Sequence, residues 1–280
     1  MKIITDSTAD LTKELYEQLD IGMVPLTIQL GERKWRDFYD MKPEAYFPIL
    51  RASTDFPITS QPSPQDFINA YTPFVEKNEP TLSIHISSGL SGTYQSACLA
   101  RANFPDAKIE VVDSHQASLG LALVLRLCME KVSSGLSFEA VVEYVRGLLK
   151  KVETYFSVDS LEYLQRGGRI GRAQAFLGTL MKIKPLLKLV DGAINPVEKI
   201  RTTERLLNRY LEVVEKKAAE GFPLSLIVAQ SDNADTVTNL VNRLIRVPNV
   251  ILVQRCTIGG VITSHTGPGV IGVTFVNDDN

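Results

Sequence analysis

The chain has 280 residues, 44% of them hydrophobic and 22% charged, a composition that excludes wholesale disorder. Its 30 basic and 32 acidic side chains leave a formal net charge of -2, which gives no support to a nucleic-acid binder. Cys98, Cys128 and Cys256 are odd in number, far apart and never CxxC, so the expectation is reduced, buried thiols in a cytosolic protein rather than a disulfide framework or zinc knuckle.

Residues 1–5 read as a short apolar strand. With one positive charge and a polar turn from Thr5, they make no signal peptide. Asp10 is placed to cap a helix in which Leu11, Leu15 and Leu19 recur at i, i+4 and i+8. Val24, Leu26, Ile28 and Leu30 alternate with Pro25, Thr27 and Gln29, the pattern of one strand whose proline marks an edge. Ser63 followed by Pro64 is an N-cap with proline at the first helical position. Strands follow over 82–86 and 109–112, with a helix opening near Ser91 between them. Residues 116–132 form a helix apolar on most faces and therefore buried. The apolar run at 119–129 is broken by Arg126 and is well short of the roughly 20 residues a membrane span needs. An amphipathic helix covers 136–152. Strands separated by helices imply a parallel sheet with helices on both faces.

After residue 152 the pattern changes. A strand over 153–158 leads into the glycine-rich turn QRGGRIGR and then a helix through Met181. Segments 186–190 and 193–197 flank Asp191-Gly192, a hairpin signal. Helices over 203–219 and 235–245 alternate with strands over 224–229, 250–255 and 270–276. The expected fold class is α/β: a parallel-sheet N-terminal domain over 1–152 and a C-terminal α+β domain containing a hairpin over 153–280. Charge divides at the same place, -4 before it and +2 after, and residues 166–209 hold ten basic side chains against Asp191, Glu198 and Glu204. Such an excess is usually a solvated face and less often docks a phosphate or an acidic partner.

Three expected strands end in polar turns: Thr5-Asp6-Ser7-Thr8, Ser87-Ser88-Gly89-Leu90-Ser91-Gly92-Thr93 and Asp113-Ser114-His115. Ligands of open α/β sheets bind beyond the carboxyl ends of strands, so these turns should share one edge. A helix opening at Ser91 would offer N–H groups and a hydroxyl to an anion. Taken alone, a serine there is more often a plain N-cap worth about 1 kcal/mol. A nucleophile elbow needs Gly-x-Ser-x-Gly; Gly89 fits, Thr93 does not. His85 falls inside an apolar strand and is expected to be a satisfied core residue. His115 either joins the strand-end cluster or caps a helix. His265 stands in Thr263-Ser264-His265-Thr266-Gly267-Pro268-Gly269, read as a tight loop. There is no GxxxxGK[ST], no GxGxxG after the first strand, no HExxH and no compact His/Asp/Glu cluster, so neither an ATP loop nor a metal is expected. The segment Gly167-Gly168-Arg169-Ile170-Gly171-Arg172 fits a phosphate approach and an arginine-solubilised turn equally well.

Six motifs stand in order: DSTADL from Asp6, TSQPSP from Thr59, SSGLSGTYQSA from Ser87, the strand end Val111-Val112-Asp113-Ser114, LEYLQRGGRIG from Leu161 and HTGPG from His265. With them the chain resembles, over essentially its whole length, the DegV family of bacterial fatty-acid-binding proteins. The resemblance implies two α/β domains with one long-chain fatty acid between them, and neither catalytic residues nor a cofactor. It implies a lipid-binding subunit of a cytoplasmic fatty acid kinase serving phospholipid synthesis. In that system a separate ATP-dependent subunit phosphorylates the bound carboxylate to an acyl phosphate. Thr59, Ser91 and His265 are thereby expected at the carboxylate, and Arg169 and Arg201 at the pocket mouth or the kinase-docking face. Acyl-chain lining is expected from Ile28, Phe176, Leu177, Leu180, Met181 and Ile183, any one of which is more often ordinary core. Two alternatives stay open: a serine hydrolase of lipid esters using Ser91 and His265, and a lipid sensor without a kinase partner.

Overall fold

The computed structural model describes residues 1–178 and 183–277. A four-stranded parallel sheet runs in the order Ile21–Val24, Lys2–Asp6, Thr81–His85, Ile109–Asp113. Neighbouring residues of a strand face opposite ways. Thus Ile3 joins the core around helix Leu119–Ser133, whereas Ile4 packs with Phe67, Tyr71 and Ala97 under helices Pro64–Val75 and Thr93–Arg101. The helix Pro64–Val75 starts where Ser63 and Pro64 direct it. Ser63 Oγ accepts from the Asp66 N–H, and Asp66 accepts in return from the Ser63 N–H.

A six-stranded sheet runs Ala193–Ile200, Lys184–Val190, Glu153–Ser157, Ile271–Asn277, Leu224–Gln230, Val250–Thr257, antiparallel except for its last pair. The expected hairpin is its first pair. Asp191 and Gly192 take φ values of 49° and 75°, the positive pair that a two-residue turn between twisted strands requires. Helices Thr203–Ala218 and Ala234–Leu244 cover one face of this sheet through Leu206, Tyr210 and Leu240. On its other face lies Leu119–Ser133, nine of whose 15 residues are buried. One continuous core joins Ile3, Leu82 and Ile84 of the parallel sheet, through that helix, to Ile227, Ala229 and Val276 of the six-stranded one. This is why the helix is apolar on most of its faces.

A small antiparallel sheet, Arg33–Arg36, Thr27–Leu30, Ile58–Ser60, completes the fold. Helix Pro43–Ala52 and the short helix Gly260–Thr266 pack on it around Leu26, Tyr46 and Val261. Residues 1–152 thus build the parallel and three-stranded sheets and 153–277 the six-stranded one. The shared core and helix Gly260–Thr266 cross that division.

Four local expectations change. Pro25 lacks an N–H for the ladder and divides the alternating stretch: Val24 ends the edge strand of the parallel sheet, and Thr27–Leu30 is the centre of another. The first helix, Lys13–Gln18, is capped by Thr12, while Asp10 at φ 53° turns its carboxyl inward to Ser118. The helix near Ser91 begins at Thr93 with Gly92 as N-cap, leaving Ser91 in the turn before it. The glycine-rich segment is preceded by helix Glu162–Arg166 and followed by a 3₁₀ turn, Gly171–Phe176. Of the helix expected through Met181, the described part ends where Leu177 is extended and Gly178 takes φ 75°, and residues 179–181 lie outside the described residues.

Candidate functional site

The turns at the carboxyl edge of the parallel sheet are stitched to one another. Thr5 Oγ1 donates to the Ile84 carbonyl, and Asp6 Oδ2 accepts from the Ile86 N–H. The Ser87 N–H donates to the Gln116 carbonyl and the Ser118 N–H to the Thr8 carbonyl. Against this edge lies a cavity of about 290 Å³. Ile86, Leu90 and Leu119 line it from the turns and the buried helix, and Phe156, Leu189 and Ile194 from the six-stranded sheet. Leu26 and the helix residues Val261 and Ile262 close it from the three-stranded sheet's side.

Polar groups gather on one part of this mainly aliphatic wall. Thr59, on strand Ile58–Ser60, places Oγ1 2.6 Å from His265 Nε2. Gly167 lies against the same imidazole, and a Cβ there would overlap Nδ1. Arg169 donates from Nη1 to the Gly167 carbonyl at 2.7 Å and from Nε to the Leu90 carbonyl at 3.2 Å, beside Ser91. Thr59 and His265 are bonded, Arg169 reaches the backbone beside His265 and beside Ser91, and all four line the cavity.

His265 stands in the last turn of helix Gly260–Thr266 rather than in a loop; the chain breaks helix at Gly267, φ 75°. Burial, and after it the Arg169 charge, pushes the imidazole down to about 4, so it is neutral at pH 7. Among the described residues its buried Nδ1 has no partner. An orphaned N–H is rarer in proteins than an orphaned acceptor, which assigns the hydrogen to Nε2, donating to Thr59 Oγ1. The Thr59 hydroxyl hydrogen is then available to a ligand.

Ser91 Oγ lies 2.9 Å from Thr93 Oγ1 and accepts from the Thr93 N–H at 3.3 Å. With Ser91 on Thr93 and His265 on Thr59, the two do not form a nucleophile–base pair, and among the described residues no carboxylate bonds to His265. Gly92, at φ -75°, permits close approach rather than strain: the Gln61 carboxamide fills the space of its missing Cβ and donates to Ser96 Oγ. His85 is the satisfied core histidine expected. It lies 2.6 Å from Ser83 Oγ and 3.0 Å from Asp6 Oδ2, a triad-like order in which all three residues are wholly buried. His115 is exposed beside Asp113 at the sheet edge, outside the cavity.

The other expected residues that the structure describes lie elsewhere. Arg201 is exposed ahead of helix Thr203–Ala218 and does not line the cavity. Ile28 belongs to the small core with Tyr46 and Leu50, and Phe176 packs on the main core under the Lys199 ammonium. Neither lines the cavity, nor do Leu177 and Ile183, while Leu180 and Met181 fall outside the described residues. Among the described residues the lining comes from the strand-end turns, the start of the buried helix, strand faces and helix Gly260–Thr266, while the 3₁₀ turn after the glycine-rich segment ends at Phe176. Sequence reasoning gave no site role to Gln61 or Ser118, and it read Gly167 as part of a phosphate approach or solubilised turn rather than as the seat of the His265 ring. Gln61 was legible inside TSQPSP, whereas Ser118, at φ 52°, has no local signature.

Buried acids stand behind the cavity wall. Ser118 Oγ donates to Asp10 Oδ2 at 2.5 Å, and the Gly260 N–H donates to Asp37 Oδ1 at 3.2 Å. Burial drives the Asp10 carboxyl well above the usual range despite the Ser118 bond, and pushes Asp37 up to about 7. Among the described residues no group of three His, Cys, Asp or Glu side chains could hold a metal ion. Among them, too, no helix is long and apolar enough to cross a membrane.

A family model described as "Uncharacterised protein, DegV family" matches residues 1–278. Protein DegV of Bacillus subtilis is 31% identical over 275 residues, 98% of either chain. A solved structure described as fatty acid binding of a DegV family protein from Thermus thermophilus aligns with a TM-score of 0.91 at 37% identity, covering 99% of both chains. A stearic acid-binding protein from Eubacterium ventriosum aligns with a TM-score of 0.91 at 32% identity, covering 99% of this chain and 98% of the other.

Proposed function

The chain belongs to the DegV family, and from that premise we propose that it binds one long-chain fatty acid between its 1–152 and 153–280 portions and presents the carboxylate to a separate ATP-dependent kinase subunit. The observation that carries the lipid part is the cavity itself: an aliphatic space with two hydroxyls, an imidazole and a guanidinium converging on one part of its wall. Thr59 and Ser91 donate to the carboxylate, Arg169 supplies the opposing charge, and neutral His265 orients Thr59. Each buried methylene contributes about 0.8 kcal/mol, so a chain of ~16 carbons gains on the order of 10 kcal/mol before the costs of binding. That the relatives from Thermus thermophilus and Eubacterium ventriosum are described as binding fatty acids supports the same reading.

In the kinase step a carboxylate oxygen attacks the γ-phosphorus of ATP, ADP leaves, and the product is an acyl phosphate. Exposed basic residues of the 166–209 stretch, Arg201 among them, are the docking face for the kinase subunit and its nucleotide. Mass spectrometry of an organic extract of the purified protein should show near one equivalent of a long-chain fatty acid. An empty extract, together with no binding of added palmitate or oleate, overturns the lipid assignment. Acyl phosphate should form only when both proteins and ATP are present; turnover of an ester by this chain alone would favour a hydrolase instead.

A further inference from the structure

The cavity is also polar at its far end. Strands Glu153–Ser157 and Ile271–Asn277 pair with Ser157 opposite Ile271, near helix Gly260–Thr266, and with Thr154 opposite Thr274 three register steps away. That is on the order of 10 Å along the strands. Thr154 lines the cavity there. Its hydroxyl donates to Gln116 Oε1 at 2.8 Å and lies 2.9 Å from Thr274 Oγ1. Gly120 makes room for this contact: a Cβ would stand 2.5 Å from Gln116 Oε1 and 2.6 Å from Thr154 Oγ1. The Gln116 backbone is held as well, its N–H donating to Ser114 Oγ and its carbonyl accepting from the Ser87 N–H.

Beyond Gln116 opens a second space, a groove of about 1150 Å³. Gln116 lines the groove, its partner Thr154 lines the cavity, and Leu189 lines both. The groove is charged, with Lys188 paired to Glu153 at 2.6 Å and Lys217 to Glu220 at 2.8 Å, but Leu149, Val190 and Phe222 give it apolar stretches.

We propose that Gln116, bonded to Thr154 and seated by Gly120, is the stop that closes the acyl cavity against the groove and sets the longest chain the protein retains. The inference rests on the fatty-acid reading above. A polar stop suits the task. An aliphatic chain pressing on it must separate two buried, hydrogen-bonded groups and leave them unpaired. Removing the carboxamide joins the two spaces, and further methylenes then bury against Leu189 and the groove's apolar wall.

The test is a binding series of saturated acids from C14 to C22, measured on the parent, Gln116→Ala and Gln116→Leu, with thermal unfolding as the check of fold. Parent affinity should rise with length and then drop past a cut-off. Gln116→Ala should remove that drop, raising the affinity for docosanoate relative to hexadecanoate by at least about tenfold, since each methylene accommodated is worth about fourfold. Gln116→Leu, which keeps most of the space filled but loses the bond to Thr154, should move the cut-off by less than Gln116→Ala does. If the alanine variant does not fold, Leu189→Ala opens the same wall and should shift the cut-off likewise. A folded opening variant with the parent's cut-off, or a parent with no cut-off up to C22, overturns the stop. A parent that binds no acid of any length overturns the fatty-acid reading first, and the stop with it.

Discussion

Helix Gly260–Thr266 carries a buried titratable contact at each end, and burial acts on the two in opposite directions. At its start the Gly260 N–H donates to Asp37, whose carboxyl is raised from 3.8 to about 7. In its last turn His265 is lowered from 6.5 to about 4. Burial disfavours whichever form is charged, so the acid rises and the base falls. The consequences for function differ. Neutral His265 faces the cavity and can direct the Thr59 hydroxyl without placing a second positive charge beside Arg169. Asp37 and Asp10 do not line the cavity; they anchor the backbone start of the helix and Ser118. One end of the helix therefore serves recognition and the other serves placement.

The largest effect expected concerns Asp37. Between pH 3.8 and about 7 the folded protein holds a proton that the unfolded chain has released, so stability falls as pH rises through that window and levels above it. A shift of that size corresponds to roughly 4 kcal/mol. Unfolding midpoints from pH 4 to 8 should therefore decline less in Asp37→Asn than in the parent, with Asp10 maintaining a residual slope. At pH 8 the variant should be at least as stable as the parent. Parallel curves would break the contrast between the two ends.

His265 gives the opposite sign. Between pH 4 and 6.5 the unfolded chain holds a proton that the folded one lacks, so stability falls as pH drops through that window, by roughly 3 kcal/mol in all. Adding His265→Gln to Asp37→Asn isolates it: loss of stability toward pH 4 should lessen in the double variant. An unchanged acid limb would mean that the ring is already charged when folded.

Recognition sharpens the comparison. Thr59→Val and Ser91→Ala each remove a donor to a charged group, a bond worth about 1.5–3 kcal/mol, so fatty acid affinity should fall ten- to hundredfold. Asp37→Asn should leave it near the parent's. The same variants assayed with a methyl ester should lose much less; equal losses for acid and ester would put the carboxylate elsewhere. Arg169→Ala belongs with this group, because among the described residues lining the cavity Arg169 is the cationic side chain.

The smallest effect is expected at Arg201, exposed and away from the cavity. Arg201→Ala should bind fatty acid as the parent does, within about twofold, as an exposed charge contributes little. It should still slow acyl phosphate formation with a kinase subunit, and added salt should mimic that slowing in the parent because exposed charges are screened over about 8 Å at physiological ionic strength. Loss of bound lipid in this variant would bring Arg201 into the pocket.

Much of the architecture was legible in short stretches of sequence. The capping box at Ser63, the hairpin at Asp191-Gly192 and the all-round apolar helix Leu119–Ser133 each follow from residues within a turn or two of one another. Local rules were weaker where a glycine or proline admitted two outcomes, as at Pro25 and Gly168. The motifs TSQ, LSG, GGR and HTGPG named the candidate site residues, but no local rule joins them. Thr59 meets His265 across 206 positions, and Gly167 matters because the imidazole lies where its Cβ would be. The titration of Asp37 and His265 and the wall between Thr154 and Gln116 also belong to the tertiary structure alone. Backbone preference and periodicity act over a few residues and so are written along the chain. Desolvation and cavity shape depend on which distant surfaces exclude water from each other, and that is decided only when the sheets and helix Gly260–Thr266 have packed.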